Sequence, residues 1–382
     1  MAVSKKSQRP RLKREAGTQA HLPSSRWARA FYDQKLILLT GALYIAVIIA
    51  ESLYAGVPVS QFLRVFLILP LIVVKCVLLL LGLSVGVLLC GLFLPEARKK
   101  KMLQRWRHGW SHMDDLATRY LNGDVFAYGC LGVLVMVANG FYFIQKCLIH
   151  VLHPFAWDDA FVSADRFLHF GHSPDEFVVA ITQMFHLGHV FDVAYFLWFV
   201  VMYLSLGFTL FWDNDLKRRL RFLWCFLLSW ILLGSVLGTW FSAAGPLFYH
   251  NFFPHKPDPY ADFVRYIDDF GHKDFPIAYW SGKHLLEWTT NGEIVNFNAV
   301  AAFPSMHIAI AWLATLYGFS ISRKLGYAGA AFCVLIYFAT VLFGFHYALD
   351  SYVSLICVSL MWWAAGKLLD RRHPKDVILT RA

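Results

Sequence analysis

Charged side chains are scarce in this chain. Asp, Glu, Lys and Arg make up 16% of its 382 residues, while hydrophobic residues make up 58%. Soluble proteins usually carry about 25% charged residues, so the composition excludes an ordinary soluble domain and a disordered chain. Aromatic residues reach 17%, which is typical of proteins whose side chains face lipid and the membrane interface. The composition therefore predicts an all-α, polytopic membrane protein.

Cysteine is absent from every predicted outer loop. All seven cysteines fall within apolar stretches, so the sequence does not indicate a disulfide framework. The formal net charge is +10, which in a soluble protein could point to a polyanionic partner. In a membrane protein the placement of the basic residues has to be considered first, and no nucleic-acid partner is predicted.

Eight apolar stretches have about the 20 residues that a spanning helix needs. They cover residues 36–56, 68–94, 126–149, 190–212, 222–241, 301–320, 327–345 and 348–368. With a cytoplasmic N-terminus, the five inner segments hold 27 of the 35 Lys and Arg residues, and the three outer loops hold six. This distribution follows the positive-inside rule. It predicts a bundle of about eight transmembrane helices with both termini in the cytoplasm.

The same reading divides the chain into five regions. In chain order they are a basic cytoplasmic tail (1–35), the N-terminal membrane helices (36–149) with an inner amphipathic segment (95–124), an amphipathic or re-entrant outer segment (150–189), a membrane domain with the candidate chemistry (190–370) and its outer loop (242–300), and a cytoplasmic tail (371–382).

Two short stretches carry candidate chemistry at predicted outer span ends. The first is Pro304–Ser305–Met306–His307. Proline suits the first position of a helix, and the N–H groups that follow it form an anion site with the helix dipole. We therefore expect Pro304 to start a helix, Ser305 to offer a hydroxyl donor to a phosphate, and His307 to lie in the first turn beside it.

The second stretch is His346–Tyr347–Ala348–Leu349–Asp350. Its i,i+4 spacing on a helix would place the carboxylate beside the imidazole. A carboxylate bonded to Nδ1–H would fix the tautomer and leave Nε2 free as a nucleophile. Because both stretches are predicted on the same membrane face, His307 and His346 can meet in one pocket. Such a pocket suits phosphoryl transfer without an obligatory metal, and we expect neither a metal nor a cofactor.

These residues resemble the second and third signature motifs of the type 2 phosphatidic acid phosphatase superfamily, P-S-G-H and S-R-x5-H-x3-D. Thr340 stands where the third motif has arginine, and the first motif, K-x6-R-P, is absent. Together with the stretch 242–246, these departures resemble the branch that contains the inositol phosphorylceramide synthases. The resemblance covers mainly residues 190–370.

The resemblance implies a lipid phosphotransferase of the bacterial inner membrane, with its site facing the periplasm. His346 would attack phosphorus and become phosphohistidine, Asp350 would orient it, and His307 would act as the general acid and then as the general base. The implied partners are the bilayer, a phospholipid or lipid phosphate as substrate, and an alcohol as acceptor, for example a polyol or a sugar.

Further residues are candidates for substrate binding. The outer cations Lys256, Arg265 and Lys283 are the expected replacements for the missing motif cations. Asp158 would bind hydroxyl groups of the acceptor, and Asp192 is an ionisable residue inside a predicted span, where such residues usually have a function. Gly245, from the stretch 242–246, is a candidate for the substrate pocket.

Two alternative functions stay open on the sequence alone. A lipid phosphate phosphatase, acting on phosphatidate, phosphatidylglycerophosphate or a polyprenyl phosphate, would share the phosphohistidine step and use water in the second step. A lipid transporter built on the same scaffold would explain the spans, but it would not need His346, His307 and Asp350 together.

Overall fold

A computed structural model of the chain describes residues 26–60, 62–63, 98, 100–101, 104, 124–291 and 298–372. The described residues form helices, turns and irregular segments, with no strand among them. The second predicted span (68–94) lies outside the described residues, as does most of the predicted amphipathic segment (95–124). Most of the predicted N-terminal tail and nearly all of the C-terminal tail lie outside them as well.

The longer helices follow one another with short connections. They are α1 (Arg26–Tyr54), α2 (Asp124–Leu152), α3 (Asp158–Leu168), α4 (Pro174–Phe185), α5 (Gly188–Phe211), α6 (Leu216–Trp240), α7 (Ala261–Asp274), α8 (Pro276–Thr290), α9 (Met306–Ile321), α10 (Arg323–Leu342) and α11 (Ala348–Arg372). Single helical turns at Pro246–Phe248 and Tyr249–Phe252 lie between α6 and α7.

Six of the described helices, α1, α2, α5, α6, α10 and α11, are long and apolar enough to cross a membrane. A seventh apolar helix, α9, has 16 residues. These properties indicate an integral membrane protein, as the composition predicts. Each of the seven helices overlaps a predicted span, while the total of eight spans and the cytoplasmic termini stay predictions.

Helix α9 lies at the centre of the bundle, in contact with α5, α6, α10 and α11. It packs most extensively against α10, where small residues let the two backbones approach closely. A Cβ on Gly329 would lie 2.9 Å from Thr315 Cα, so a larger residue at position 329 would push the helices apart. Central packing of α9 fixes the position of its first turn, which carries His307.

Basic side chains pair at one end of the bundle. Arg218, in the first turn of α6, binds Asp213 with an Nη2–Oδ1 distance of 2.6 Å, and its Nη1 donates to the carbonyl of Ser320 at 3.3 Å. Lys217 binds Asp370 at 3.0 Å. Ser320 lies in the last turn of α9, whereas His307 lies in its first. The basic cluster and the candidate histidines are therefore at opposite ends of α9.

The N-terminus of α11 is capped by a side chain from α3. Asp165 accepts hydrogen bonds from the backbone N–H groups of Ala348 (2.9 Å) and Leu349 (2.8 Å). Burial raises the pKa of Asp165, and the two N–H donors act in the opposite direction. The first N–H groups of a helix have no partner within it. The long connection through α3 therefore positions the helix that carries Asp350.

We expect Asp165→Ala to destabilise the protein, because two buried N–H groups of α11 lose their acceptor. The loss of such a buried partner costs about 1–3 kcal/mol, measurable as a lower thermal unfolding midpoint in detergent. Asp262→Ala is the control, since Asp262 is 93% exposed and pairs with Arg265. Exposed pairs contribute less than about 1 kcal/mol, so equal losses for the two variants would contradict the capping role.

Candidate active site

A cavity at the end of the bundle away from the basic cluster brings the two polar stretches together. His307 lines it from the first turn of α9 and His346 from the turn before α11. Its wall is mainly apolar and includes the aromatic residues Tyr142, Phe143, Tyr195, Trp198, Trp230, Phe248, Phe303 and Phe345. Among the described residues that line it, Lys146 is the one Lys or Arg. The cavity is thus largely apolar, with a few nitrogen groups.

His346 is almost completely buried, and its tautomer follows from its partner. Nδ1 lies 2.5 Å from the carbonyl oxygen of Ala302. A carbonyl oxygen can only accept, so Nδ1 carries the proton and the neutral ring has its lone pair on Nε2. Burial lowers the pKa of His346 to about 3; the charge of Lys146 adds to this shift and the Ala302 hydrogen bond opposes it. His346 is therefore neutral near pH 7.

Asp350 lies beside His346, as predicted from the spacing. Its Oδ2 is 3.4 Å from His346 Nδ1 and accepts the backbone N–H of Tyr347 at 3.0 Å. The prediction that this carboxylate fixes the tautomer is corrected, because the Ala302 carbonyl is the closer acceptor of Nδ1–H. The fully buried carboxylate of Asp350 is instead placed to stabilise a positive charge on the imidazole.

His307 is held between two aromatic residues of α5. Its ring stacks on Tyr195 with 4.1 Å between centroids, and the Tyr195 hydroxyl lies 3.3 Å from its Nδ1. Trp198 Nε1 donates to its carbonyl oxygen at 2.7 Å. Its Nε2 is buried without a hydrogen-bond partner among the described residues. The rings of His307 and His346 are 5.9 Å apart, close enough to act on one small group.

Lys146 reaches the cavity from the last third of α2. Its Nζ donates to Asn298 Oδ1 at 3.0 Å, and its charge influences the pKa of His346. A cation beside two histidines suits a bound anion, and phosphate is the anion that the two polar stretches predict.

A comparison with family models gives a match to the PAP2 superfamily over residues 159–364. The chain belongs to the PAP2 superfamily. Membership indicates a phosphatase- or phosphotransferase-type lipid enzyme, in agreement with the resemblance noted from the two motifs. Comparisons with curated proteins and with solved structures gave no match.

A stretch at the end of α2 resembles the first PAP2 motif, with one substitution. Residues 146–154 read K-x6-H-P, so Lys146 and Pro154 stand where the motif K-x6-R-P has its Lys and Pro, and His153 replaces the Arg. A motif search that tolerated one substitution would have found it. Lys146 precedes the matched range 159–364, yet it lines the same cavity as the two histidines.

Helix α9 begins two residues later than the position of Pro304 predicts. Its first residue is Met306, and Ser305 is the N-cap, whose hydroxyl oxygen accepts from Ile308 N–H at 3.4 Å. Pro304 therefore precedes the helix instead of starting it, although it lines the cavity. Ser305 is fully buried and is not part of the lining, so its hydroxyl supports the helix start rather than the predicted phosphate contact.

Gly245 contributes by close packing. It adopts a φ of 96°, and a Cβ there would lie 3.0 Å from the carbonyl oxygen of Phe345 and 3.2 Å from Ala302 Cβ. Only glycine readily combines this backbone conformation with so close an approach. Gly245 itself does not line the cavity, whereas the preceding Ala244 does. Its effect on the site is thus to let this turn pack against the segments before α9 and α11.

The predicted hydroxyl contact of Asp158 is contradicted by its surroundings. Asp158 is fully buried, and its carboxylate accepts the N–H groups of Ala244 (3.0 Å) and Gly245 (2.9 Å) and the hydroxyl of Tyr347 (2.7 Å). Burial raises its pKa, against these donors. Protein groups already use its oxygens, so Asp158 connects the two turns at the site and is not placed to bind an acceptor.

Asp192 also has a structural position instead of a substrate contact. Its two carboxylate oxygens accept the backbone N–H groups of Ile277 (2.9 Å) and Ala278 (2.8 Å). These are the first N–H groups of α8, so Asp192 caps that helix from α5, as Asp165 caps α11. Sequence reasoning detected that this carboxylate was unusual but could not identify its partner.

The three outer cations do not line the cavity. Each is partly or largely exposed and pairs with a nearby carboxylate: Lys256 with Asp159 at 2.5 Å, Arg265 with Asp262 at 3.2 Å, and Lys283 with Asp268 at 2.8 Å. The expectation that they replace the motif cations is therefore corrected, and Lys146 is the cation that the structure brings to the histidines.

We expect Lys146→Met to raise the pKa of His346 from about 3, since a nearby positive charge is removed. Diethyl pyrocarbonate modifies the neutral imidazole of histidine but not the protonated one. The rate of His346 labelling can therefore be followed against pH by peptide mass spectrometry. The acid-side midpoint should move to higher pH in Lys146→Met and stay unchanged in Lys283→Met, whose lysine is paired outside the cavity. An identical midpoint in both variants would argue against the coupling.

Proposed function

We propose that this PAP2 enzyme is a membrane-embedded lipid phosphotransferase that works through a phosphohistidine on His346. The observation that carries the proposal is the meeting of three groups in one cavity: a neutral His346, His307 with a buried free Nε2, and Lys146. They supply a nucleophile, a proton carrier and a counter-charge for phosphate, which are the requirements of phosphoryl transfer without a metal.

In the first half-reaction, Nε2 of His346 attacks phosphorus, the P–N bond forms, and the P–O bond to the leaving group breaks. His307, protonated on both nitrogens, gives its Nε2 proton to the leaving oxygen. The negative charge of a bound phosphate favours that protonated form. The positive charge that develops on His346 is stabilised by Asp350 and by the Ala302 carbonyl.

In the second half-reaction, an alcohol oxygen attacks the phosphohistidine, the P–N bond breaks, and His307 takes up the alcohol proton. The aromatic wall of the cavity supports an alcohol acceptor over water, because a site that excludes water protects a reactive intermediate from hydrolysis. Lys146 is the one Lys or Arg among the described lining residues. Its single positive charge matches the single negative charge of a phosphodiester. The proposed reaction moves a phospho-headgroup between lipids or onto a polyol or sugar.

The chain departs from the phosphatase motifs at His153 and Thr340. These departures resemble the branch of the superfamily that contains the inositol phosphorylceramide synthases. A second candidate function, a lipid phosphate phosphatase, is favoured by one observation: the Lys and Pro of the first motif are retained. In that case water would hydrolyse the same phosphohistidine.

The site is proposed to face the non-cytoplasmic side, which would be the periplasm in a bacterial inner membrane. The support is the basic cluster around Lys217 and Arg218 at the opposite end of α9, since basic residues mark the cytoplasmic side. In this arrangement residues 190–370 form the phosphotransferase domain. The segment 150–189 positions the turn before α11, and the region 36–149 contributes Lys146.

We expect His346→Ala to abolish headgroup transfer when purified protein is incubated with phospholipid vesicles and an alcohol acceptor. Wild-type protein quenched at neutral pH should carry a phosphoryl or phospho-headgroup adduct on the peptide that contains His346. His284→Ala, an exposed histidine paired with Glu287, is the control and should behave as wild type. Equal turnover in wild type and His346→Ala would reject His346 as the nucleophile, whereas no headgroup turnover in either protein would favour a transporter. Release of the headgroup to water alone would favour the phosphatase.

We expect Asp350→Asn to lower kcat by about 10²–10⁴-fold with little change in KM. The amide cannot stabilise the imidazolium charge, whereas the Ala302 carbonyl still fixes the His346 tautomer. Steady-state kinetics with a phosphodiester lipid as substrate measure the changes in kcat and in KM separately. A main effect on KM, or a kcat within twofold of wild type, would contradict this role for Asp350.

A further inference from the structure

Trp230 lines the cavity and carries an unused hydrogen-bond donor. Trp230 lines the cavity and is 2% exposed, and its Nε1–H has no hydrogen-bond partner among the described residues. Leaving a buried donor without an acceptor is unfavourable. An acceptor brought by a ligand would remove that cost.

The backbone around Trp230 departs from a regular α-helix. Residues Ser229–Leu237 of α6 form a π-helical stretch, and such stretches occur frequently at functional sites. The ring of Tyr142 packs on the indole with 4.8 Å between centroids, and Gly234 gives it room, because a Cβ there would lie 2.6 Å from Tyr142 Cε2. The indole is thus held in a defined orientation.

Other indole groups of the bundle already have protein acceptors. Trp198 Nε1 donates to the carbonyl of His307 at 2.7 Å, and Trp312 Nε1 donates to the hydroxyl of Ser359 at 2.8 Å. Trp230 differs from both in lacking a partner while lining the cavity with His307, whose Nε2 is also without a partner. Two residues with an unpartnered buried ring nitrogen, Trp230 and His307, therefore line the same cavity as Lys146.

The position of the missing motif arginine cannot supply this donor. Thr340 is fully buried, its hydroxyl donates to the carbonyl of Tyr337 at 2.8 Å, and it does not line the cavity. A phosphate bound beside His346 has more acceptor oxygens than Lys146 alone can satisfy.

We propose that Trp230 Nε1–H donates a hydrogen bond to a non-bridging oxygen of the substrate phosphate. The inference rests on the proposed function, because it requires the phosphate group of a lipid to lie between His346 and Lys146. Trp230 is then a substrate-binding residue from α6, and its neutral donor adds hydrogen bonding without adding a second positive charge.

Trp230→Phe keeps an aromatic ring and removes the N–H. Hydrogen bonds to charged groups contribute about 1.5–3 kcal/mol, so kcat/KM for a phosphodiester lipid should fall about tenfold to a hundredfold. Binding of orthovanadate, a phosphate analogue, should weaken by a similar factor in isothermal titration calorimetry. Trp312→Phe is the matched control, and both its kcat/KM and its vanadate affinity should stay within twofold of wild type.

A second replacement separates hydrogen bonding from packing. Benzothienylalanine introduced at position 230 by nonsense suppression keeps the shape of indole and replaces its N–H by sulfur, so it should fold as wild type and show the same weakened vanadate binding. If the protein with benzothienylalanine at position 230, or Trp230→Phe, bound vanadate as tightly as the wild type, the inference would be overturned.

Vanadate binding does not depend on turnover, so the two proposals can fail separately. Activity in His346→Ala would reject the phosphohistidine route while weakened vanadate binding still supported Trp230 as the donor. Conversely, an inactive His346→Ala together with normal vanadate binding at Trp230 variants would reject only the role of Trp230.

Discussion

Buried carboxylates that accept backbone N–H groups hold the candidate site together. Asp165 binds the first N–H groups of α11, Asp158 joins the turn at 244–245 to Tyr347, and Asp192 caps α8. In each case an acidic side chain from one segment satisfies donors of another. Because these groups are buried, the alternative to each contact is an unpaired polar group in an apolar interior, which is costly. The geometry around His346 depends on these contacts.

The chemistry of the cavity follows from the same apolar surroundings. Burial keeps His346 neutral, and the Ala302 carbonyl decides which nitrogen carries the proton. Stacking on Tyr195 holds His307 so that its Nε2 has no protein partner. A phosphate group entering this space would meet donors that protein groups do not use, which is how a site of low dielectric makes a few polar groups effective.

Sequence reasoning succeeded where a signal was local. The apolar stretches predicted the helices, and the stretches 304–307 and 346–350 predicted two histidines and a carboxylate in one place. The sequence did not predict which groups the charged side chains bind. Asp158 was expected at a substrate hydroxyl and Lys283 at the phosphate, yet each is bound by a side chain from another helix or turn. The stretch from Lys146 to Pro154 resembles the first motif, but it does not match the motif strictly because His153 stands in place of the Arg.

The sequence by itself determined the class of the protein, because hydropathy and motif spacing are properties of a few neighbouring residues. It predicted an all-helical membrane protein and the candidate site residues His307, His346 and Asp350, which the structure brings close together. Only the tertiary structure decided which cation lies at the histidines, which acceptor sets the His346 tautomer, and that Trp230 has an unused donor there. Those outcomes depend on contacts between segments such as α2 and α9, and distances across a bundle cannot be read from positions along the chain.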